Sequence, residues 1–87
     1  MTKWKIEFTK KSQKQIDSLD NAVRMRIKKA IEAKLEKNPE LSLEPLLGET
    51  SGYYKFRIGD YRLICYKDKE RLVVLVLKIG HRKHVYH

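Results

Sequence analysis

The chain is poor in the residues that cross-link, punctuate or anchor a fold. It has one cysteine, two prolines, four glycines and one tryptophan in 87 residues. A single Cys65 cannot form an intrachain disulfide, so the fold must rest on its core, and the setting this suits is a reducing one. Cys65 lies inside an apolar run and reads as a buried thiol without chemistry. No long hydrophobic stretch exists: the longest is residues 72–77, far short of the roughly 20 residues that span a bilayer. The first residues run straight into a strand-like alternation and lack the apolar stretch of a secretory signal, so a soluble cytoplasmic protein without a membrane partner is expected. Repeats and low-complexity linkers are missing, and a chain this short has room for one modest core. The expectation is a single domain over residues 1–87.

Acidic residues are also scarce, eleven against twenty Lys and Arg, which leaves a net charge of +9. That balance points to a polyanionic partner. The excess is uneven. Residues 1–37 hold eleven basic and five acidic groups, residues 38–52 no basic and three acidic, and residues 53–87 nine basic and three acidic. Lys-rich helix faces are often plain solvated surface, and the first region reads that way more readily than the last.

Trp4, Ile6 and Phe8 alternate with Lys5 and Glu7 as in a strand with one wet face. Thr9 can cap a helix reaching about Leu19, with Ile16 and Leu19 as a thin apolar stripe. Asp20 or Asn21 can cap a second helix, in which Val23, Ile27, Ala30, Ile31 and Leu35 recur at helical spacing until Asn38-Pro39 stops it. Together these helices read as an antiparallel hairpin. A loop over residues 38–52 follows, pinned by Leu41, Leu43, Leu46 and Leu47. Then come three strand-like runs, residues 53–58, 61–66 and 71–79. The last is apolar on both faces at residues 72–77, so it should be a central strand covered on both sides. The fold class expected is α+β: an N-terminal strand, a helical hairpin, and a three-stranded antiparallel meander with the helices on one face.

Gly59-Asp60 between two such runs is the signal of a type II′ hairpin. It pairs Ile58 with Tyr61, Arg57 with Arg62, Phe56 with Leu63 and Lys55 with Ile64. Arg57 then stands opposite Arg62, and Lys55 shares their face while Tyr54, Phe56 and Ile58 point the other way. Like charges directly opposed destabilise a sheet. The cations either splay into solvent, with Asp60 available to one of them, or use the arrangement to hold an anion. A phosphate site is the reading preferred.

Gly80-His81-Arg82-Lys83-His84-Val85-Tyr86-His87 adds two cations, three imidazoles and a phenol, with no acid among them. Arg82 offers a planar fork to a phosphate, and Tyr86 and the histidines can move protons. His81, His84 and His87 recur every third residue, a weak metal signal without a fourth ligand. The carboxylates are scattered, with no pair beside the cations, so two-metal chemistry is not expected. A metal-free route remains for RNA. Its 2′-OH is an internal nucleophile that must be oriented, deprotonated and matched by charge at the phosphorane and a proton at the leaving oxygen. No cofactor and no metal are called for.

The run from Gly52 through Tyr53-Tyr54-Lys55-Phe56-Arg57-Ile58-Gly59-Asp60-Tyr61-Arg62-Leu63-Ile64, with Gly80-His81-Arg82-Lys83-His84-Val85-Tyr86 after the apolar strand, resembles the RelE branch of the RelE/ParE toxin superfamily. The likeness spans nearly the whole chain, including the Pro-Leu-Leu-Gly loop, and is more specific in the second half. It implies a toxin that enters the ribosomal A site, cuts mRNA there to leave a 2′,3′-cyclic phosphate and a 5′-hydroxyl, and is held inactive by an acidic RelB-like antitoxin. Carried over by position, Lys55 and Arg57 match the two basic residues of the family's first active-site strand. Arg62 matches the arginine after the hairpin tyrosine, Arg82 the arginine after the last strand, and Tyr86 the C-terminal tyrosine that acts near the 2′-OH. His81 is a second candidate for the acid or base. Two alternatives stay open: a ParE-like inhibitor of DNA gyrase on the same fold, and a catalytically inactive RNA-binding or antitoxin-paired module.

Overall fold

A computed structural model of the protein describes residues 4–46 and 52–81. The order of elements is β1 (Lys5–Phe8), α1 (Lys10–Asp17), α2 (Asn21–Ala30), α3 (Pro39–Ser42), β2 (Glu44–Pro45), β3 (Tyr53–Ile58), β4 (Tyr61–Asp68) and β5 (Val73–His81). The described strands form one sheet in the order β1-β5-β4-β3-β2, with β1 parallel to β5 and the other pairs antiparallel. The α+β class, the meander and the placement of the helices on one face are as the pattern of the sequence predicts.

Local chemistry explains most of the boundaries. Thr9 caps α1, its hydroxyl accepting from the Ser12 N–H at 3.1 Å. Asp20 precedes α2 without a side-chain capping bond. Beyond Ala30 the helix widens into a π-helical stretch, Ile31–Leu35, closed by the Glu36 N–H donating to the Ile31 carbonyl at 2.9 Å. The apolar stripe continues through it: Ile27, Ile31 and Leu35 are buried, with Val23 and Ala30 packed against the same core. Asn38-Pro39 ends this helix, but it also starts another. Pro39 sits at the first turn of α3, where its missing N–H costs nothing, and the Asn38 side chain accepts from the Leu41 N–H.

The 38–52 segment therefore holds a helical turn and a short strand rather than a plain loop. Its anchor among the described leucines is Leu43, 6% exposed, whereas Leu41 is 84% exposed. Leu46 is half-buried, and Leu47 lies outside the described residues. Lys67 ties the segment to β4: its ammonium donates to Glu40 at 2.7 Å and lies over the Tyr54 ring at 4.5 Å. The hydrogen bond from Lys67 holds the Glu40 carboxyl below its usual range against a small desolvation. Burial disfavours the Lys67 charge, but Glu40 and Tyr54 outweigh it and hold the ammonium above its ordinary value.

β5 is interior, between β1 and β4, but its second face is covered only in part. Val74, Val76 and Ile79 enter the core; on the apolar run that suggested two buried faces, Val73 is 6% exposed, whereas Leu75 and Leu77 are only half-buried. One residue breaks its alternation. Cys65 pairs with Val76 while Ile64 pairs with Lys78, so Leu77 is the extra residue of a β-bulge. α1 braces that point. Ser12 Oγ donates to the Val76 carbonyl at 2.7 Å, Thr9 Oγ1 to the Leu77 carbonyl at 3.3 Å, and Gln15 Oε1 accepts from the Ile79 N–H at 2.7 Å. Thr9, Ser12 and Gln15 are three apart and share a helix face. They serve the β5 edge where β1, whose last pair is Phe8 with Val76, has ended.

Candidate functional site

The β3–β4 hairpin sets the site. Gly59 has φ 58° and Asp60 does not share the left-handed region, as a type II′ turn requires. The register that follows is Ile58 with Tyr61, Arg57 with Arg62, Phe56 with Leu63 and Lys55 with Ile64. Phe56, Ile58, Leu63 and Cys65 turn into the core. The alternate residues Lys55, Arg57, Arg62 and Ile64 therefore lie on the side away from the helices. β5 continues this surface, with Gly80 directly across from Arg62 and Lys78 across from Ile64.

Four cations thus share one face of three adjacent strands: Lys55, Arg57, Arg62 and Lys78. Lys78 was not singled out from the sequence; the bulge is what turns it to this side. The two opposed arginines differ in setting. Arg57 is exposed and reaches the edge, where its guanidinium lies 3.6 Å from the Glu44 carboxylate of β2. Arg62 is half-buried, with its Nε beneath the surface. Gly80 offers no side chain where a neighbour of Arg62 would stand. A tetrahedral anion resting between Arg57 and Arg62 would meet donors from both strands with no steric block from β5. The Arg57–Glu44 pair is solvent-exposed on both sides, the kind of contact that contributes about 0–1 kcal/mol, so an incoming phosphate can displace it.

His81 is placed otherwise. It pairs with Tyr61, ring centroids 5.6 Å apart and edge-on, and shares the parity of Leu63 and Ile79. That puts it on the helix-side face, not with the cations. Arg82, Lys83, His84, Tyr86 and His87 lie outside the described residues. Among the described residues no group of three or more His, Cys, Asp or Glu could hold a metal ion, and no helix is long and apolar enough to cross a membrane. Cys65 is fully buried, and burial pushes its thiol up to about 12.

The family model described as the ParE toxin of a type II toxin–antitoxin system matches residues 6–86. Toxin RelG of Mycobacterium tuberculosis is 26% identical over 81 residues, covering 93% of both proteins. The RelBE2 toxin–antitoxin complex of Mycobacterium tuberculosis contains a chain that superposes with a TM-score of 0.85, at 26% identity and 94% coverage of each. A chain of the archaeal RelE–RelB complex from Pyrococcus horikoshii superposes at 0.76, with 27% identity over 97% of this chain and 100% of that one.

Proposed function

Because the chain belongs to the RelE/ParE superfamily of type II toxin–antitoxin toxins, we propose that it is a ribosome-dependent, metal-independent endoribonuclease of the RelE kind. The observation that carries this reading is the register that gathers Lys55, Arg57, Arg62 and Lys78 on one sheet face, with Gly80 open beside Arg62. Arg57 and Arg62 grip the scissile phosphate and offset the charge that builds on the phosphorane, while Lys55 and Lys78 hold the flanking backbone. The nucleophile is the substrate's own 2′-OH, so the protein need supply only orientation, charge and proton transfer. By position in the family, Arg82 adds a further donor to the phosphate and Tyr86 serves the 2′-OH. His81, on the other face, is the weaker candidate for that proton. The natural partners are the ribosome with its mRNA, and a RelB-like antitoxin such as the relatives' complexes contain. An acidic, partly disordered antitoxin suits the basic faces of α1 and α2, with Lys10, Lys11, Lys14, Arg24, Arg26, Lys28 and Lys29. The cytoplasm, where translation occurs, is the proposed location.

The test is primer extension on a translated message, with and without ribosomes. Codon-position breaks that need ribosomes support the reading. Arg62→Ala should slow single-turnover cleavage by roughly 10² to 10³, and Tyr86→Phe, which loses only a hydroxyl, by roughly 10² to 10⁴ with ribosome binding unchanged. The description of the matching family model favours a second reading, a ParE-like gyrase inhibitor. Gyrase-dependent DNA breaks with an intact message would establish that one instead.

A further inference from the structure

The cation-bearing face does not end with the cations. Two rows farther from the turn, Tyr53 of β3 stands directly across from Tyr66 of β4, ring centroids 5.5 Å apart and planes tilted by 59°. Strand alternation puts Tyr53 on the side of Lys55 and Arg57, and Tyr66 on the side of Ile64 and Arg62. Neither ring serves the core. Tyr53 is 38% and Tyr66 40% exposed, whereas Tyr54 and Tyr61 pack against the core from the other face. The pair is nevertheless seated. Gly52, at φ 85°, lies so close under Tyr66 that a Cβ there would meet the ring at 3.0 Å, and its carbonyl accepts from the Lys67 N–H. The Tyr66 ring thus has both Gly52 and Tyr53 as close neighbours.

Two exposed aromatic rings held in place and continuous with a row of cations match the chemistry of an unpaired nucleic-acid strand. Bases stack on aromatic faces while phosphates follow the positive charge. Tyr53 and Arg57 are four steps apart along β3, about 13 Å at strand rise, which is the length of a few stacked nucleotides at about 3.4 Å each. We propose that Tyr53 and Tyr66 form a stacking platform for an unpaired base of the same RNA strand whose phosphates lie on Arg57 and Arg62. This rests on the reading of those cations as an RNA grip, and it adds that the protein engages a flanking base, by its face and without reading its edge.

The experiment separates stacking from charge. Full-length protein is titrated against a fluorescein-labelled single-stranded oligoribonucleotide and against its abasic counterpart, which keeps every phosphate and loses the bases, at several salt concentrations. Wild type should favour the oligonucleotide with bases. Tyr53→Ala and Tyr66→Ala should each erode that preference, together by roughly 5- to 150-fold, the worth of one stacked base, with the salt slope unchanged because no cation is lost. Tyr53→Phe and Tyr66→Phe, which keep the ring, should restore it, a rescue that a loss of folding would not allow. Equal wild-type affinity for the two oligonucleotides overturns the proposal, as do Ala variants that discriminate like wild type. Ala variants that lose antitoxin but not RNA affinity overturn it too, and assign the face to the protein partner. Message cleavage is scored separately, so a wild type that binds bases but cuts nothing refutes the nuclease while leaving the platform standing.

Discussion

Gln15 is a stringent probe of how the end of β5 is held. Its Oε1 accepts from the Ile79 N–H at 2.7 Å, and Ile79 is only 4% exposed. Replacing Gln15 with Leu keeps a side chain of comparable bulk and removes the acceptor. A buried donor left unsatisfied costs about 1–3 kcal/mol, and for a domain of this size each kcal/mol lowers Tm by about 4–8 °C. Two comparisons calibrate the claim. Ser12→Ala also deletes a bond, from Ser12 Oγ to the Val76 carbonyl, but that carbonyl still accepts from the Thr9 N–H at 3.1 Å. No group is orphaned there, so the loss should be about 0.5–1.5 kcal/mol. Gln15→Glu retains an oxygen for Ile79 and should lie nearer wild type than Gln15→Leu. Urea unfolding followed by far-UV circular dichroism measures all three, an unchanged slope confirming that the same surface is exposed. A Gln15→Leu variant within about 0.5 kcal/mol of wild type, the range of ordinary surface changes, would refute the bracing role of α1. Because Gly80 follows Ile79 and stands across from Arg62, the same variant should also cleave message more slowly.

Lys78→Ala should weaken oligoribonucleotide binding and lower its salt slope by about one contact, and an unchanged slope would remove Lys78 from the cation row. Arg57→Ala should leave stability within about 0.5 kcal/mol, since it relieves the repulsion from Arg62 and loses only an exposed pair with Glu44; a thermal melt checks this. The native Cys65 thiol should resist an aromatic disulfide reagent at pH 8 and react at once in denaturant, because it is fully buried and its ionisation is pushed up to about 12. For Glu40, whose folded pKa is lowered, the stabilising share is present above its ordinary 4.5 and lost as pH falls through the folded value. The stability difference between wild type and Glu40→Gln should therefore shrink on acidification below that point, as urea midpoints at successive pH values would record.

The half of the site that could be read from the sequence is the half that a turn dictates. Gly59-Asp60 permits one hairpin geometry, and once its two central residues are fixed, every pair from Ile58 with Tyr61 to Lys55 with Ile64 follows by counting. The helix stripe was legible for a similar reason: Ile27, Ile31 and Leu35 keep their spacing of four even through the π-helical stretch. Pairings that span the chain were not legible. Nothing local to Lys5–Phe8 says that it will lie parallel to β5, and Glu44 joins the cations only because β2 pairs with β3, Glu44 opposite Lys55. Asn38-Pro39 misled in part because a proline that stops one helix is equally at home in the first turn of the next.

The bulge at Leu77 accounts for the rest. Val74 and Val76 enter the core, and uninterrupted alternation would send Lys78 in after them and place Leu77 and Ile79 beside Ile64 and Arg62. An unpaired ammonium in an apolar core costs far more than a strained ladder. The sequence Lys78-Ile79 thus carries a conflict that one extra residue resolves, turning Lys78 out and Ile79 in, where it is 4% exposed. The same shift moves Gly80 into the place across from Arg62 and sends His81 to the helix side with Tyr61. Without the bulge Arg62 would face an isoleucine and the cation row would end at β4. With it, the row gains a lysine from β5 and an open position for an anion, so the packing demand of one lysine decides both what the core accepts and what the opposite face can bind.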